Sequence, residues 1–134
     1  MLDIDYVITI HDEIIKNFGG LPGYGRGGLG AIESALARIE SHMLYEGVDD
    51  VFAIAALYAV AIARGHIFND GNKRTGLTCA LAYLYQQEIY IPESPALEEI
   101  MVDVASGDID AETLADIFST LWVSLDSASK DADG

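Results

Sequence analysis

The chain has little of what several classes of protein require. It contains one cysteine, Cys79, so no disulfide can form within the chain, and the thiol is expected to be a small buried apolar group. Lys and Arg total 7 against 22 Asp and Glu, a formal net charge of -15, which argues against nucleic acid or an anionic membrane as a direct partner. The longest apolar run, residues 51–63, is shorter than the roughly 20 residues that span a membrane. With no segment typical of a signal peptide, these absences predict a cytoplasmic protein.

The 134 residues are the length of one domain, and their apolar spacing predicts an all-α fold. About six helices are expected around a central pair formed by residues 51–63 and 73–88, with almost no strand. Gly76 lies inside the second of these helices, where glycine costs up to about 1 kcal/mol relative to alanine. A close helix contact is therefore expected there. The compact domain is predicted to span residues 1–125, and the polar tail, residues 126–134, is predicted to be disordered.

Residues 19–30, GGLPGYGRGGLG, are predicted to form a mobile loop. Seven glycines and a proline in this stretch exclude regular helix, because glycine disfavours helix and proline lacks a donor. One helix is predicted to end at Gly19 and Gly20, and the next is predicted to begin at Ala31.

The segment RGHIFNDGNKRTG, residues 64–76, places three of the seven basic residues around one glycine-containing loop. A turn that leads into a helix N-terminus directs backbone N–H groups at one point, where the helix dipole also favours negative charge. Gly71 would let this turn approach a ligand closely. Asn72, Lys73 and Arg74 would add side-chain donors in the first helical turn. Because Lys and Arg are unfavourable at this end of a helix dipole, their presence predicts an anionic ligand such as phosphate.

Two further residues of the loop supply groups that a transfer reaction needs. Asp70 is the only carboxylate inside the loop, and Mg2+ beside phosphates uses one or two protein carboxylates. His66, four residues earlier, can accept a proton from an attacking hydroxyl at cellular pH. These groups indicate phosphoryl or nucleotidyl transfer. An interpretation of His66 and Asp70 as two metal ligands on one helix is disfavoured by Gly71 and the loop context.

Other conspicuous side chains receive structural interpretations. His11 and His42 lie in helical stretches and are interpreted as surface or capping residues. Arg64 has two interpretations of equal weight, a contact with a helix C-terminus or a contact with phosphate. Three tyrosines are expected at the rim of the core, where one could stack on adenine: Tyr83, Tyr85 and Tyr90.

The segment HIFNDGNKR, residues 66–74, resembles the signature of the Fic/Doc superfamily, H-x-F-x-D/E-G-N-G-R in the AMP-transferring Fic branch. Lys73 replaces the second glycine of the motif, as in the Doc (death-on-curing) toxins of Phd/Doc toxin-antitoxin pairs. FGGLPG, ESALARIE and ARGHIFNDGNKRT also resemble that branch, so the similarity covers roughly residues 3–122. Gly71 matches the Fic branch, where the Doc pattern has alanine, and a Fic-type protein AMP transferase therefore stays an alternative.

The resemblance implies a Fic/Doc-like helical domain that uses ATP and Mg2+. It implies a protein kinase that transfers the ATP γ-phosphate to a threonine of elongation factor Tu and arrests translation. It also implies a partner, a Phd-like antitoxin whose C-terminal segment folds onto the toxin. His66 would be the catalytic base and Asp70 the metal ligand. The phosphates would be held by the loop amides and four residues: Gly71, Asn72, Lys73 and Arg74.

Two more features follow from the resemblance. The Lys73 side chain would occupy space that the phosphates use in Fic enzymes, so ATP would bind in the reversed sense, with its γ-phosphate beside His66. Residues 19–30 would correspond to a flap that guides the target chain, with Arg26 as a contributor. An interpretation from a different class is a catalytically silent binding module that keeps the fold to hold a partner segment.

Overall fold

The computed structural model describes the backbone of residues 1–133 and the side chains of residues 1–128. This part of the chain contains six helices and no strand. The helices are α1 (Ile4–Phe18), α2 (Gly28–Tyr45), α3 (Val51–Arg64), α4 (Asn72–Gln86), α5 (Pro95–Ser106) and α6 (Ala111–Asp133). The predicted all-α domain of about six helices is confirmed.

Helices α3 and α4 form the centre of the fold and make its most extensive helix contact. Helix α3 also packs against α2, α5 and α6, while α4 packs against α1 and α5. The apolar stretch predicted to form a buried helix is therefore surrounded by other helices, as expected. Within residues 1–133, no helix combines the length and the apolarity needed to cross a lipid bilayer.

Gly76 lies at a close approach of α3 and α4. A Cβ atom built on Gly76 would lie 2.8 Å from the carbonyl oxygen of Ala59 and 3.4 Å from the backbone nitrogen of Ala63. A larger residue would have to push the two helix backbones apart, which explains a glycine in a helix interior. The predicted close contact is confirmed, and it fixes the start of α4 against the end of α3.

Short polar side chains cap the start of several helices. The side chains of Asp3, Asp50 and Ser94 accept hydrogen bonds from N–H groups in the first turns of α1, α3 and α5. Pro95 occupies the first position of α5, where its missing N–H would have no helical partner. These caps satisfy donors that a helix leaves unpaired at its start. Helices α2 and α4 begin without such a cap, and at α4 its absence shapes the candidate site.

Two helix ends differ from the predicted ones. Helix α2 begins at Gly28 rather than Ala31, because the first turn of a helix tolerates glycine better than the interior does. Helix α6 continues to Asp133, although a disordered tail was predicted from residue 126. No glycine or proline interrupts the chain between Ala111 and Asp133, so no residue there forces the helix to stop. Gly134 lies outside the described residues.

Candidate functional site

The loop between α3 and α4 ends in a helix N-terminus that lacks a side-chain cap. Gly71, the N-cap residue, has a φ angle of 78°, in the left-handed region that glycine adopts without penalty. The N–H groups of the first turn, in Asn72, Lys73 and Arg74, have no partner among residues 1–128. Since the helix dipole adds positive potential at the same point, this end of α4 has the geometry of an anion-binding site.

A cleft of about 510 Å³ opens beside this N-terminus, between the end of α1 and the start of α4. We call it the α1–α4 cleft. The wall formed by α1 and the residues after it contains Ile14, Phe18, Gly19 and Gly20. The opposite wall contains Asp70, Gly71, Asn72, Lys73 and Arg74. Five of the six residues predicted to form the site therefore line one cleft, and His66 does not.

Asp70 is held through both its backbone and its side chain. Its Oδ2 accepts a hydrogen bond of 2.6 Å from the N–H of Leu21, and its carbonyl oxygen lies 2.7 Å from Nε2 of His11. Its Oδ1 has no partner in the described part of the chain, and the residue is exposed. Mg2+ beside phosphates typically takes one or two protein carboxylates, and a free carboxylate oxygen next to an anion site fits that chemistry.

Asn72 uses its side chain to brace the loop. Its Oδ1 accepts a hydrogen bond of 3.1 Å from the N–H of Phe68, and its Nδ2 donates one of 3.0 Å to the carbonyl oxygen of Phe68. Both ends of the amide are therefore engaged by the loop backbone. The group that Asn72 retains for an anion is its backbone N–H.

The two basic residues of the first turn have different surroundings. Lys73 is exposed, and it lines both the α1–α4 cleft and a groove of about 340 Å³ between α4 and α5, the α4–α5 groove. Arg74 places Nη1 3.0 Å from Oε1 of Glu98, and its guanidinium lies 4.0 Å from the centre of the Phe18 ring. The side chains of Arg74 and Glu98 are 39% and 40% exposed, and pairs of this kind are worth at most about 1 kcal/mol. A phosphate can therefore compete with Glu98 for Arg74.

A second carboxyl group, that of Glu93, interacts with Arg74 and Glu98. Burial and the neighbouring charge of Glu98 raise the pKa of Glu93, whereas the charge of Arg74 acts in the opposite direction. The Arg74 guanidinium therefore interacts with both Glu93 and Glu98, and an anion must compete with these two carboxyl groups to bind Arg74.

His66 begins the loop with a strained backbone. Its φ angle of 49° lies in the left-handed region, which is uncommon for a residue with a side chain. The residue is exposed, and its ring has no hydrogen-bond partner among residues 1–128. Gly25 packs directly against it, because a Cβ atom on Gly25 would overlap the carbonyl oxygen of His66. The imidazole is therefore accessible from solvent, beside the glycine-rich segment.

The glycine-rich segment pairs with the loop. Gly25 donates a hydrogen bond of 2.9 Å to the carbonyl oxygen of Ile67, and Asn69 donates one of 3.1 Å to the carbonyl oxygen of Gly23. The composition of residues 19–30 predicted a loop but not this antiparallel pairing. Glycines at alternate positions were the available signal, because two backbones can approach closely where side chains are absent.

Arg64 lies directed away from the cleft. Its Nε donates a hydrogen bond of 2.7 Å to the carbonyl oxygen of Val104, and its Nη2 donates one of 2.5 Å to that of Ile109. Val104 lies in the last turn of α5, so Arg64 satisfies carbonyl groups at a helix C-terminus. Of the two interpretations made from the sequence, the structure supports contact with a helix C-terminus rather than contact with phosphate.

The tyrosines also lie away from the cleft. Tyr83 is buried, with its ring centre 5.6 Å from that of Tyr58, and burial raises the pKa of its hydroxyl. Tyr85 and Tyr90 are exposed and form an edge-to-face pair at 6.2 Å. Since Tyr85 is about 20 Å along α4 from Asn72, it lies at the opposite end of the helix from the site.

His11 is a residue of the site region that the sequence interpretation missed. It was expected at the surface or in a cap, but it is 1% exposed, so that prediction was wrong. Its ring stacks on Phe68 with centres 3.7 Å apart and an angle of 5° between the planes. The available signal was its spacing, since Val7, His11 and Ile14 are the buried residues of α1 and share one helical face.

Two other side chains behave as predicted. Cys79 is buried, and burial raises the pKa of its thiol to about 12, so the reactive thiolate is strongly disfavoured. His42 is partly exposed on α2 and its Nδ1 contacts the carboxylate of Glu46.

Comparison with known proteins defines the class to which this fold and this loop belong. The model of the Fic/DOC family matches residues 1–84, which include α1, the glycine-rich segment, the loop and most of α4. The chain belongs to the Fic/DOC family. It is also similar to a protein of Escherichia phage P1 named "Protein kinase doc", with 39% identity over 120 residues, 90% of this chain and 94% of that protein. The resemblance drawn from HIFNDGNKR is confirmed.

Proposed function

We propose that this chain is a Doc-type toxin, a protein kinase that transfers the γ-phosphate of ATP to a threonine hydroxyl of elongation factor Tu. The observation that carries the proposal is the uncapped N-terminus of α4 beside a cleft that contains one carboxylate and two basic side chains. The similarity to a protein named a kinase, along 90% of this chain, supports the same chemistry. Phosphorylation of this factor would arrest translation, and it would take place in the cytoplasm.

The first turn of α4 would bind the triphosphate. The N–H groups of Asn72, Lys73 and Arg74 supply three backbone donors, and the Lys73 and Arg74 side chains supply charge. Gly71 allows the chain to turn tightly at this point. In phosphoryl transfer, positioning and charge neutralisation supply most of the catalysis, so a preformed cradle of donors is the main requirement. Asp70 would hold Mg2+, which neutralises charge on phosphate oxygens when it is bound.

His66 would act as the general base. The acceptor hydroxyl gives its proton to the imidazole while its oxygen bonds to the γ-phosphorus, and the bond from that phosphorus to the β,γ-bridging oxygen breaks to release ADP. Exposure of the ring and the absence of a hydrogen-bond partner within residues 1–128 support this role. Because His66 lies outside the cleft lining, the γ-phosphate would extend towards the cleft edge, next to residues 23–25. The glycine-rich segment would there guide the acceptor chain, with exposed Arg26 as a contributor.

Transfer of AMP is the second candidate, and Gly71 is the observation that favours it. The Fic signature has glycine at this position. The φ angle of 78° gives an independent reason for the glycine, since the loop requires a left-handed residue there whichever group is transferred. Lys73 favours phosphate transfer, because its side chain lines the cleft. In that position it would make ATP bind in the reversed orientation, with the γ-phosphate towards His66.

A Phd-like antitoxin is the proposed regulatory partner. Its C-terminal segment would fold onto the surface beside the cleft. The α4–α5 groove supports this placement, because it joins the apolar side chains of Leu77, Met101 and Val102 to Lys73 and Arg74. A segment in that groove could contact both an apolar floor and the two cationic residues of the site.

The proposal is tested by offering elongation factor Tu and the purified chain ATP labelled at either the γ- or the α-phosphate. Kinase activity predicts γ-label on a threonine and no α-label, whereas AMP transfer predicts the reverse. His66→Ala is the matched control and should abolish labelling while the protein stays folded. Lys73→Gly should move the product towards AMP if Lys73 sets the orientation of the nucleotide. Absence of both labels, together with growth arrest that survives His66→Ala, would instead support a silent binding module.

A further inference from the structure

We infer that His11 is a positioning residue for the loop, which acts by fixing the backbone of Asp70 from helix α1. The catalytic meaning of this role rests on the proposed function, but the contact itself does not. His11 and Asp70 are 59 positions apart in the chain, and Nε2 of the ring lies 2.7 Å from the Asp70 carbonyl oxygen. A carbonyl oxygen can only accept, so Nε2 carries the proton and donates.

Of the contacts that the His11 ring makes, the hydrogen bond to Asp70 is the one that requires the imidazole N–H. The ring is 1% exposed and lies flat against Phe68. A phenylalanine would fill the same space and stack equally well, without a buried polar group that requires a partner. Its other nitrogen, Nδ1, lies 3.8 Å from Oδ1 of Asp12, beyond hydrogen-bond distance, and the Asp12 side chain is 70% exposed. A histidine at this position is therefore explained by donation to Asp70.

The bond joins three parts of the site in series. His11 on α1 holds the carbonyl of Asp70, and the carboxylate of Asp70 accepts the N–H of Leu21 in the glycine-rich segment. The ring also lies against the start of α4, since a Cβ atom on Gly71 would be 3.7 Å from its Cδ2. Movement of the His11 ring would consequently disturb both the carboxylate and the N-cap of α4.

A pair of substitutions separates the hydrogen bond from the packing. His11→Phe keeps the apolar contact with Phe68 and removes the donor, whereas His11→Gln retains an N–H donor at a similar distance along the side chain. His42→Gln is the matched control, because His42 is a partly exposed histidine on α2 outside the cleft lining. All three proteins are first compared with wild type by urea unfolding.

Amide hydrogen exchange gives a readout that needs no enzymatic activity. The probes in the site are the amides of Leu21, Phe68 and Asn69, each bonded across the loop or to Asp70. His11→Phe should accelerate their exchange by about tenfold or more while amides in the centre of α3 stay protected, and His11→Gln should restore most of the protection. Unchanged loop exchange in His11→Phe, or an equal acceleration throughout α3, would overturn the inference.

Kinetics then connects the positioning role to the reaction. His11→Phe should lower kcat for phosphate transfer by roughly 10- to 100-fold, with partial rescue in His11→Gln and a change of less than about twofold in KM for ATP. Full kcat in a folded His11→Phe protein would overturn the catalytic role of the contact. If wild type itself transferred no phosphate, the proposed function would fail, while the exchange experiment would still decide whether His11 fixes the loop.

Discussion

Replacement of Asn72 by alanine separates bracing of the loop from direct contact with phosphate. The substitution removes two hydrogen bonds, of 3.1 and 3.0 Å, that tie the side-chain amide to the backbone of Phe68. At about 0.5–1.5 kcal/mol net for each bond, the free energy of unfolding should fall by about 1–3 kcal/mol. Asn69→Ala is a matched control in the same loop, because it removes one exposed bond, from Nδ2 to the carbonyl oxygen of Pro22. Its effect should be about 1 kcal/mol or less.

Urea unfolding followed by circular dichroism measures both losses, provided the slope of the transition is unchanged. Binding of Mg2+ and ATP to the folded Asn72→Ala protein, measured by calorimetry, should weaken because the N–H groups of the first turn are no longer held in place. A stability equal to that of wild type, with ATP binding lost completely, would refute the bracing role. Such a result would instead assign the Asn72 side chain to the ligand.

Three further predictions concern residues around the cleft and in the core. Glu98→Gln should tighten the binding of Mg2+ and ATP by up to about fivefold in a titration, because the Arg74–Glu98 ion pair, worth at most about 1 kcal/mol, no longer competes with the ligand. Weaker binding would mean that Glu98 orients Arg74 for the ligand. Gly71→Ala should lower the free energy of unfolding by about 1–2 kcal/mol, since φ is 78° and the new Cβ would lie 3.3 Å from Ile15, and unchanged stability in urea would contradict this. Burial raises the pKa of the Cys79 thiol from 9.0 to about 12. The contribution of the buried, protonated thiol to the free energy of unfolding is therefore complete below pH 9 and is lost as the pH rises towards 12. Cys79→Ala should therefore lose stability less steeply than wild type, by up to about 1.4 kcal/mol per pH unit in this range, and parallel pH profiles would contradict the assignment.

Local sequence features were sufficient to predict the helices and the residues that line one wall of the α1–α4 cleft. Apolar spacing and capping residues give the order of the helices, because both act over a few neighbouring positions. The cluster of charge and glycine at residues 66–74 likewise identified the cleft wall, since these residues are adjacent in the chain. The end of α6 was harder to predict, because a polar segment without glycine or proline is compatible with both helical and non-helical structure.

The sequence did not identify the partners in contacts between distant parts of the chain. Arg64 meets Val104, 40 positions away, and His11 meets Asp70, 59 positions away. Helical periodicity places a residue on a face of its own helix, but it does not say which element covers that face. The glycine-rich segment shows the same limit, because its composition excluded a helix without revealing its partner, the backbone of residues 67–69.

The most direct measurement is a titration of the isotope-labelled protein with Mg2+ and ATP, followed through its backbone amide resonances. Binding of the triphosphate at the start of α4 predicts that the largest changes occur at Asn72, Lys73 and Arg74 and that they are lost in Lys73→Ala combined with Arg74→Ala. Changes confined to other surfaces, or none at millimolar ATP in the presence of elongation factor Tu, would contradict the assignment of this helix N-terminus as the nucleotide site.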